Sequence, residues 1–76
     1  MEKTKNRERF ERVASNRVQR IIDTIALLGN CSNRSNYEYT KDDVELMFRE
    51  IGKALRDARN TFQNELDKTN KIGFRF

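Results

Sequence analysis

The sequence predicts an all-α protein, an antiparallel hairpin of two long helices that dimerises into a four-helix bundle. Two runs of residues place apolar side chains three and four positions apart, which puts them on one face of a helix. A connection rich in serine and asparagine separates the two runs. The chain has 76 residues, so we expect a single domain over residues 1–76.

The first helix is predicted over residues 6–28. Its apolar face would contain Phe10, Val13, Ala14, Val18, Ile21, Ile22, Ile25 and Leu28. Polar side chains, including those of Arg9 and Arg12, would occupy the opposite side. Gly29 follows the last apolar position, and glycine often ends a helix because it adopts the left-handed conformation without strain. We therefore expect the helix to stop there and a loop to occupy residues 29–40.

The second helix is predicted over residues 41–68, with residues 69–76 as a C-terminal tail. Its apolar face would contain Val44, Met47, Phe48, Ile51, Leu55, Ala58, Phe62 and Leu66. Thr40 is suited to the N-cap position, and the Asp43 carboxylate can reach back to it in a capping box. A glycine inside a helix costs roughly 1 kcal/mol relative to alanine. Gly52 is therefore either a tolerated residue or one that allows a close crossing with another helix.

A lone hairpin of this size would have too little core to be stable. Small domains usually need disulfides, a metal or oligomerisation. Cys31 is the single cysteine and the chain has no histidine, so we expect no internal disulfide, no zinc site and no cofactor. We therefore predict a homodimer, or docking onto a protein partner, through the apolar faces. The residues predicted to form this interface are Phe10, Val18, Ile21, Ile25, Phe48, Ile51, Leu55 and Phe62.

The sequence also predicts a soluble, cytoplasmic protein that does not enter a membrane. A single cysteine fits a reducing compartment. The charged N-terminal residues MEKTKNRERFER lack the apolar stretch of a signal peptide. The longest uninterrupted apolar run, residues 25–28, is far too short to cross a bilayer.

The net charge of +4 is unevenly distributed. Residues 1–20 carry a net +4, residues 21–67 a net −3 and residues 68–76 a net +3. The termini of an antiparallel hairpin meet at one end, which would be basic, while the loop end would be acidic. Clustered Lys and Arg side chains bind nucleic-acid phosphates. The candidate nucleic-acid contacts are Lys5, Arg7, Arg9, Arg12, Lys68, Lys71 and Arg75.

Solvation, or pairing between the acidic and basic ends of two copies, explains the same charge distribution. We favour this explanation over nucleic-acid binding, because Glu8 and Glu11 interrupt the basic residues and no base-reading motif is present.

Aromatic residues of the loop and the tail are candidate contacts for a protein partner. Tyr37 and Tyr39 either pack over the open end of the hairpin or form a binding hot spot. The loop's asparagines are expected to make local turn hydrogen bonds. In the tail, Ile72, Phe74 and Phe76 alternate with other residues, which favours an extended segment. This segment either folds back onto the helices or binds a groove or strand edge of a partner.

The stretch LGNCSNRSNYEYTKDDVELMF, residues 28–48, resembles a signature of small uncharacterised helical proteins carried by plasmids and integrative elements of Gram-positive bacteria. The resemblance extends to FERVASNRVQRIIDTI before it and LRDARNTF after it, and leaves out the tail KIGFRF. It implies a mobile-element setting and assigns no activity to any residue. The predicted architecture is also similar to that of the plasmid RNA-binding Rop dimer, although a shared fold does not fix function.

These observations predict a non-enzymatic protein-interaction or regulatory module, accessory to a mobile genetic element. The alternative is a nucleic-acid-binding accessory protein that uses the basic end in plasmid transfer, copy control or regulation. We do not expect an enzyme, because the chain has no histidine and no glycine-rich phosphate loop. Asp42 and Asp43 are better explained as residues that favour a helix start.

Overall fold

Two α-helices make up most of the residues that the structure describes. The computed structural model describes residues 4–70, and side chains are described for residues 4–68. Helix α1 spans Lys5–Asn30 and helix α2 spans Lys41–Asn70. Residues 4–70 contain no strand, which confirms the predicted all-α class for this part of the chain. The antiparallel arrangement of the helices and the four-helix bundle stay predictions.

Helix α1 begins one residue earlier than predicted, because Thr4 caps its N-terminus. Thr4 has an extended backbone, with φ −69° and ψ 161°, and its hydroxyl oxygen accepts a hydrogen bond from the Arg7 backbone N–H at 3.0 Å. The first N–H groups of a helix have no partner within the helix, and a capping threonine satisfies one of them. Apolar spacing starts only at Phe10, so periodicity alone could not locate this start.

The C-terminal end of α1 corrects a prediction. Gly29 does not end the helix in a left-handed conformation but lies within it, and α1 continues to Asn30. Cys31 follows with a right-handed backbone, φ −72° and ψ −5°, and donates its N–H to the Leu28 carbonyl at 2.9 Å. The Ser32 N–H donates to the Gly29 carbonyl at 3.1 Å. These bonds satisfy carbonyl groups of the last turn, so no left-handed residue is needed.

A turn centred on Asn33 follows α1. Its backbone carbonyl accepts hydrogen bonds from the N–H groups of Asn36 at 3.1 Å and Tyr37 at 3.0 Å. Its side-chain oxygen accepts a third hydrogen bond from the Ser35 N–H at 2.9 Å. An asparagine side chain favours turns because it can bond to the backbone two residues on. The predicted turn hydrogen bonds of the loop are confirmed at this asparagine.

Helix α2 begins with a reciprocal capping box. The Asp43 N–H donates to the Thr40 hydroxyl oxygen at 3.1 Å, and the Thr40 N–H donates to a carboxylate oxygen of Asp43 at 2.8 Å. The arrangement predicted from the spacing of these two residues is confirmed. Asp42 and Asp43 also place negative charge in the first turn, where the helix dipole favours it.

We expect Thr40→Ala to lower the free energy of unfolding by about 1 kcal/mol, because it removes the acceptor of the capping box. The matched control is Thr61→Ala, since Thr61 lies inside α2 and its hydroxyl only donates to the Asp57 carbonyl one turn earlier. Urea unfolding followed by circular dichroism, at one fixed protein concentration, measures the free energy of unfolding of both variants. Equal losses in the two variants would contradict a stabilising role for the cap.

Gly52 lies inside α2, beside the Arg56 side chain. A Cβ atom added there would meet only the Arg56 guanidinium, at an ordinary van der Waals distance of 3.8 Å. Arg56 is one turn further along the same helix. This contact does not distinguish the two roles predicted for Gly52, and both stay predictions.

The C-terminal end of α2 lies two residues beyond the predicted one, because residues 69 and 70 belong to the helix rather than to a tail. Residues 71–76 lie outside the described residues. Within residues 4–70, neither helix contains a segment that is long and apolar enough to cross a bilayer.

Candidate interaction surfaces

The predicted interface residues of α1 lie along one side of the helix. Successive residues of a helix are rotated by about 100° around its axis, so positions three, four and seven apart share one side. We call the side that carries Phe10, Val18, Ile21 and Ile25 the α1 apolar face. Its four side chains are between 47% and 55% exposed, and no residue of α1 is buried.

Helix α2 has a corresponding face. Phe48, Ile51, Leu55 and Phe62 follow one another at steps of three, four and seven residues, and we call this side the α2 apolar face. The exposed fractions of these side chains range from 37% for Ile51 to 67% for Leu55. The face includes two phenylalanines, which have the largest apolar surfaces among these residues.

Together the two faces leave apolar surface open to solvent throughout the described part of the chain, in which no residue is buried. Burying a large apolar side chain completely is worth about 1.5–3 kcal/mol. Monomeric proteins rarely expose continuous apolar patches larger than a few hundred Å². The accessibility of all eight predicted interface residues is thus established, and their contact with a partner stays a prediction.

Two leucines lie away from the apolar faces and offer matched positions for comparison. Leu46 precedes Leu55 by nine residues, about two and a half turns, and so lies on the opposite side of α2. Leu27 lies about 160° around α1 from Ile25. Both leucines are exposed, Leu27 to 64% and Leu46 to 50%.

Arg7 makes two side-chain contacts within α1. Its Nε donates a hydrogen bond to a carboxylate oxygen of Glu11 at 3.1 Å. Its guanidinium carbon also lies 5.5 Å from the centre of the Phe10 ring, within the range of a cation–π contact. Arg7 therefore belongs to the N-terminal end of the α1 apolar face, and sequence proximity alone had grouped it with Arg9 and Arg12.

Four of the other basic residues of α1 form a row on the side of the helix opposite the apolar face, whereas Arg17 lies outside this row. We call this row the α1 basic stripe, and its members are Lys5, Arg9, Arg12 and Arg20. Steps of four, three and eight residues keep them within about a quarter turn of one another. Asn16 lies at the middle of the row. Among the described residues, no ion-pair partner is found for any of these four basic side chains.

The polar side of α2 carries charges of both signs and has no comparable row. Its charged residues are Asp42, Arg49, Glu50, Lys53, Arg56, Asp57, Asp67 and Lys68. Lys68 Nζ lies 3.3 Å from a carboxylate oxygen of Glu65. Two further candidates for the basic end, Lys71 and Arg75, lie outside the described residues. Of the described candidates, Arg7 and Lys68 are therefore ion-paired.

The loop offers one exposed aromatic side chain. Tyr37 is 52% exposed, whereas Tyr39 is half-buried. The other predicted aromatic contacts, Phe74 and Phe76, lie outside the described residues. Partner binding by any of these four residues stays a prediction.

Cys31 has an exposed free thiol, and its sulfur lies 4.0 Å from the Leu27 carbonyl oxygen. No group of three or more side chains suited to metal binding occurs within the described residues. An exposed thiol can form a disulfide between copies in air, so measurements of association need a reductant.

No family model, curated protein or solved structure shows significant similarity to the chain.

Proposed function

We propose that the protein is a non-enzymatic interaction module in which α1 and α2 form an antiparallel hairpin and two hairpins pair into a four-helix bundle. The observation that carries this proposal is the exposure of both apolar faces, where every predicted interface residue is at least 37% exposed. Four helices, each with one apolar stripe, enclose a core that two helices leave open on one side.

The dimensions of the helices support such a bundle. Helix α1 has 26 residues and α2 has 30, which correspond to about 39 and 45 Å. Because the two helices have similar lengths, they can pack against each other along nearly the whole of α1 in an antiparallel arrangement. Residues 31–40 connect them and supply the turn centred on Asn33.

Both faces contain side chains of different sizes. The α1 apolar face combines Phe10 with the β-branched Val18, Ile21 and Ile25, and the α2 apolar face combines Phe48 and Phe62 with Ile51 and Leu55. Alternation of smaller and larger side chains across facing helices favours dense packing. Burial of the exposed half of each side chain contributes on the order of 1 kcal/mol. Eight such residues from each of two chains contribute about 16 kcal/mol in total, which is comparable to the upper end of the roughly 4–15 kcal/mol that association costs.

A regulatory role accessory to a mobile genetic element is the second part of the proposal. It is supported by the resemblance of residues 28–48 and its flanking segments to proteins of plasmids and integrative elements. A module of this kind acts by binding, and its own assembly determines which surfaces it presents.

Sedimentation equilibrium over the micromolar range, with reductant present, tests the assembly. We expect a mass near twice the 9.1 kDa of the chain, together with high helicity by circular dichroism. Replacement of Cys31 with serine controls for disulfide-linked dimers and should leave the mass unchanged. A helical monomer throughout this concentration range would overturn the proposal, because the apolar faces would then be stable in water without a partner.

A further inference from the structure

We infer that the α1 basic stripe binds the phosphate backbone of duplex DNA. This inference goes beyond self-association, because it uses the side of α1 opposite the apolar face. Lys5, Arg9, Arg12 and Arg20 have no ion-pair partner among the described residues. Their charges are therefore available to an external anion, whereas Arg7 is ion-paired with Glu11 at 3.1 Å.

The length of the stripe suits duplex DNA. Lys5 and Arg20 are fifteen residues apart, which is about 22 Å along a helix. B-DNA carries one phosphate charge per roughly 1.7 Å of its axis, so a row of this length faces many phosphates. The major groove is about 12 Å wide and admits an α-helix. Asn16, at the middle of the stripe, carries a side-chain amide of the kind that hydrogen-bonds to adenine.

Charge of a single sign distinguishes this side of α1 from the polar side of α2. No acidic residue lies within the stripe between Lys5 and Arg20; Glu8 lies at its edge, and the next acidic residue on this side is Asp23. On the polar side of α2, by contrast, four acidic and four basic residues are mixed, so attraction to a polyanion is largely cancelled. A row of basic residues along one helix side is the usual electrostatic footprint of a nucleic-acid-binding protein.

Duplex DNA fits the stripe better than duplex RNA or an anionic membrane. The major groove of A-form RNA is too deep and narrow for side chains to read. A helix bound at a membrane surface inserts its apolar side into the lipid, and that side of α1 is the one we assign to self-association. DNA on the opposite side leaves the α1 apolar face free to pack.

Fluorescence anisotropy of a labelled DNA duplex, titrated with the full chain at low salt, tests the inference. We expect salt-sensitive binding in which the logarithm of the association constant falls with the logarithm of salt concentration. If all four basic residues contact phosphates, the slope is about −3.6, since each contact contributes about −0.9. Absence of binding at low salt, or an affinity that does not change with salt, would overturn the inference.

A charge-reversal pair with a matched control locates the site. The combined change Arg9→Glu and Arg12→Glu is expected to weaken binding at least about tenfold and to make the slope shallower by about 2, because two contacts are lost. The control, Arg49→Glu with Arg56→Glu, alters the net charge equally on the mixed side of α2 and should bind nearly as well as the native chain. Equal weakening by both pairs would show that net charge, and not the stripe, drives binding.

Two further measurements test whether weaker DNA binding could result from unfolding or from loss of assembly. The milder pair Arg9→Gln and Arg12→Gln should also weaken binding while helicity is retained, which excludes unfolding as the cause. Sedimentation of the stripe variants should still give the native mass, so that loss of DNA binding is distinguished from loss of assembly. Binding to anionic vesicles without binding to DNA would overturn the inference and identify a membrane surface instead.

Discussion

Leu55→Asp is expected to dissociate the proposed dimer, whereas Leu46→Asp is expected to leave it intact. Leu55 lies on the α2 apolar face and is 67% exposed in the single chain, so a partner would bury much of its surface. A carboxylate buried there without a partner charge would be strongly unfavourable. Even loss of a buried leucine side chain costs about 2–5 kcal/mol. We therefore expect the dissociation constant to rise at least about a hundredfold, which corresponds to roughly 2.7 kcal/mol.

The comparison with Leu46→Asp separates the effect of position on α2 from the effect of the substitution itself. Both variants exchange the same two residue types within α2, so helix propensity and net charge change equally. Leu46 lies nearer the start of α2, where a negative charge gains about 0.3–1 kcal/mol from the helix dipole. That gain is small beside the expected difference. Sedimentation equilibrium and ellipticity, measured over the same concentrations, compare the two; similar dissociation constants would show that the α2 apolar face is not the interface.

Ile25→Asp is expected to have a comparable effect from α1, with Leu27→Asp as its control. Ile25 is 50% exposed on the α1 apolar face, and Leu27 lies about 160° away around the same helix. In a four-helix bundle both helices contribute to one core, so a charge on either apolar face prevents closure. We expect Ile25→Asp to raise the dissociation constant at least about a hundredfold, which corresponds to roughly 2.7 kcal/mol, and Leu27→Asp to change it little.

The result from α1 distinguishes two assemblies that Leu55→Asp alone does not separate. Dissociation by both Ile25→Asp and Leu55→Asp supports a bundle built from complete hairpins. A dimer that persists in Ile25→Asp but dissociates in Leu55→Asp would mean that α2 pairs with α2 alone, as in a two-stranded coiled coil. That outcome would contradict the hairpin bundle. Gel filtration with mass detection, in the presence of reductant, measures each case.

Of the helix ends, the start of α2 was predicted correctly from the sequence, whereas both ends of α1 were not. The Thr40–Asp43 box was expected from a three-residue spacing and was found as two reciprocal hydrogen bonds. The end of α1 was predicted wrongly at Gly29, because glycine permits a left-handed stop without requiring one. Hydrogen bonds from Cys31 and Ser32 close the last turn and carry the helix to Asn30. The Thr4 cap could not be predicted from apolar periodicity, because the residues at the start of α1 are polar.

The sequence also predicted which residues share the apolar faces, but it did not predict the α1 basic stripe. Apolar spacing identified all eight interface candidates, and each is exposed on a helix face. The basic residues were grouped by nearness in the chain, which placed Arg7 with Arg9 and Arg12. Arg7 lies on a different side of α1 from Arg9 and Arg12, because it is beside Phe10 and pairs with Glu11. A helical projection of the sequence would have found the stripe, whereas the Arg7 contacts depend on side-chain conformations that residue types alone do not determine.

The capping box at the start of α2 has a consequence for the order of folding events. Nucleation is the costly step in helix formation, and the two hydrogen bonds between Thr40 and Asp43 stabilise the first turn without help from any distant residue. The first turn of α2 is therefore favoured in a single chain, before a second molecule arrives. If the proposed dimer forms from chains that already contain this turn, its observed association rate should rise with protein concentration instead of reaching a limit set by helix nucleation.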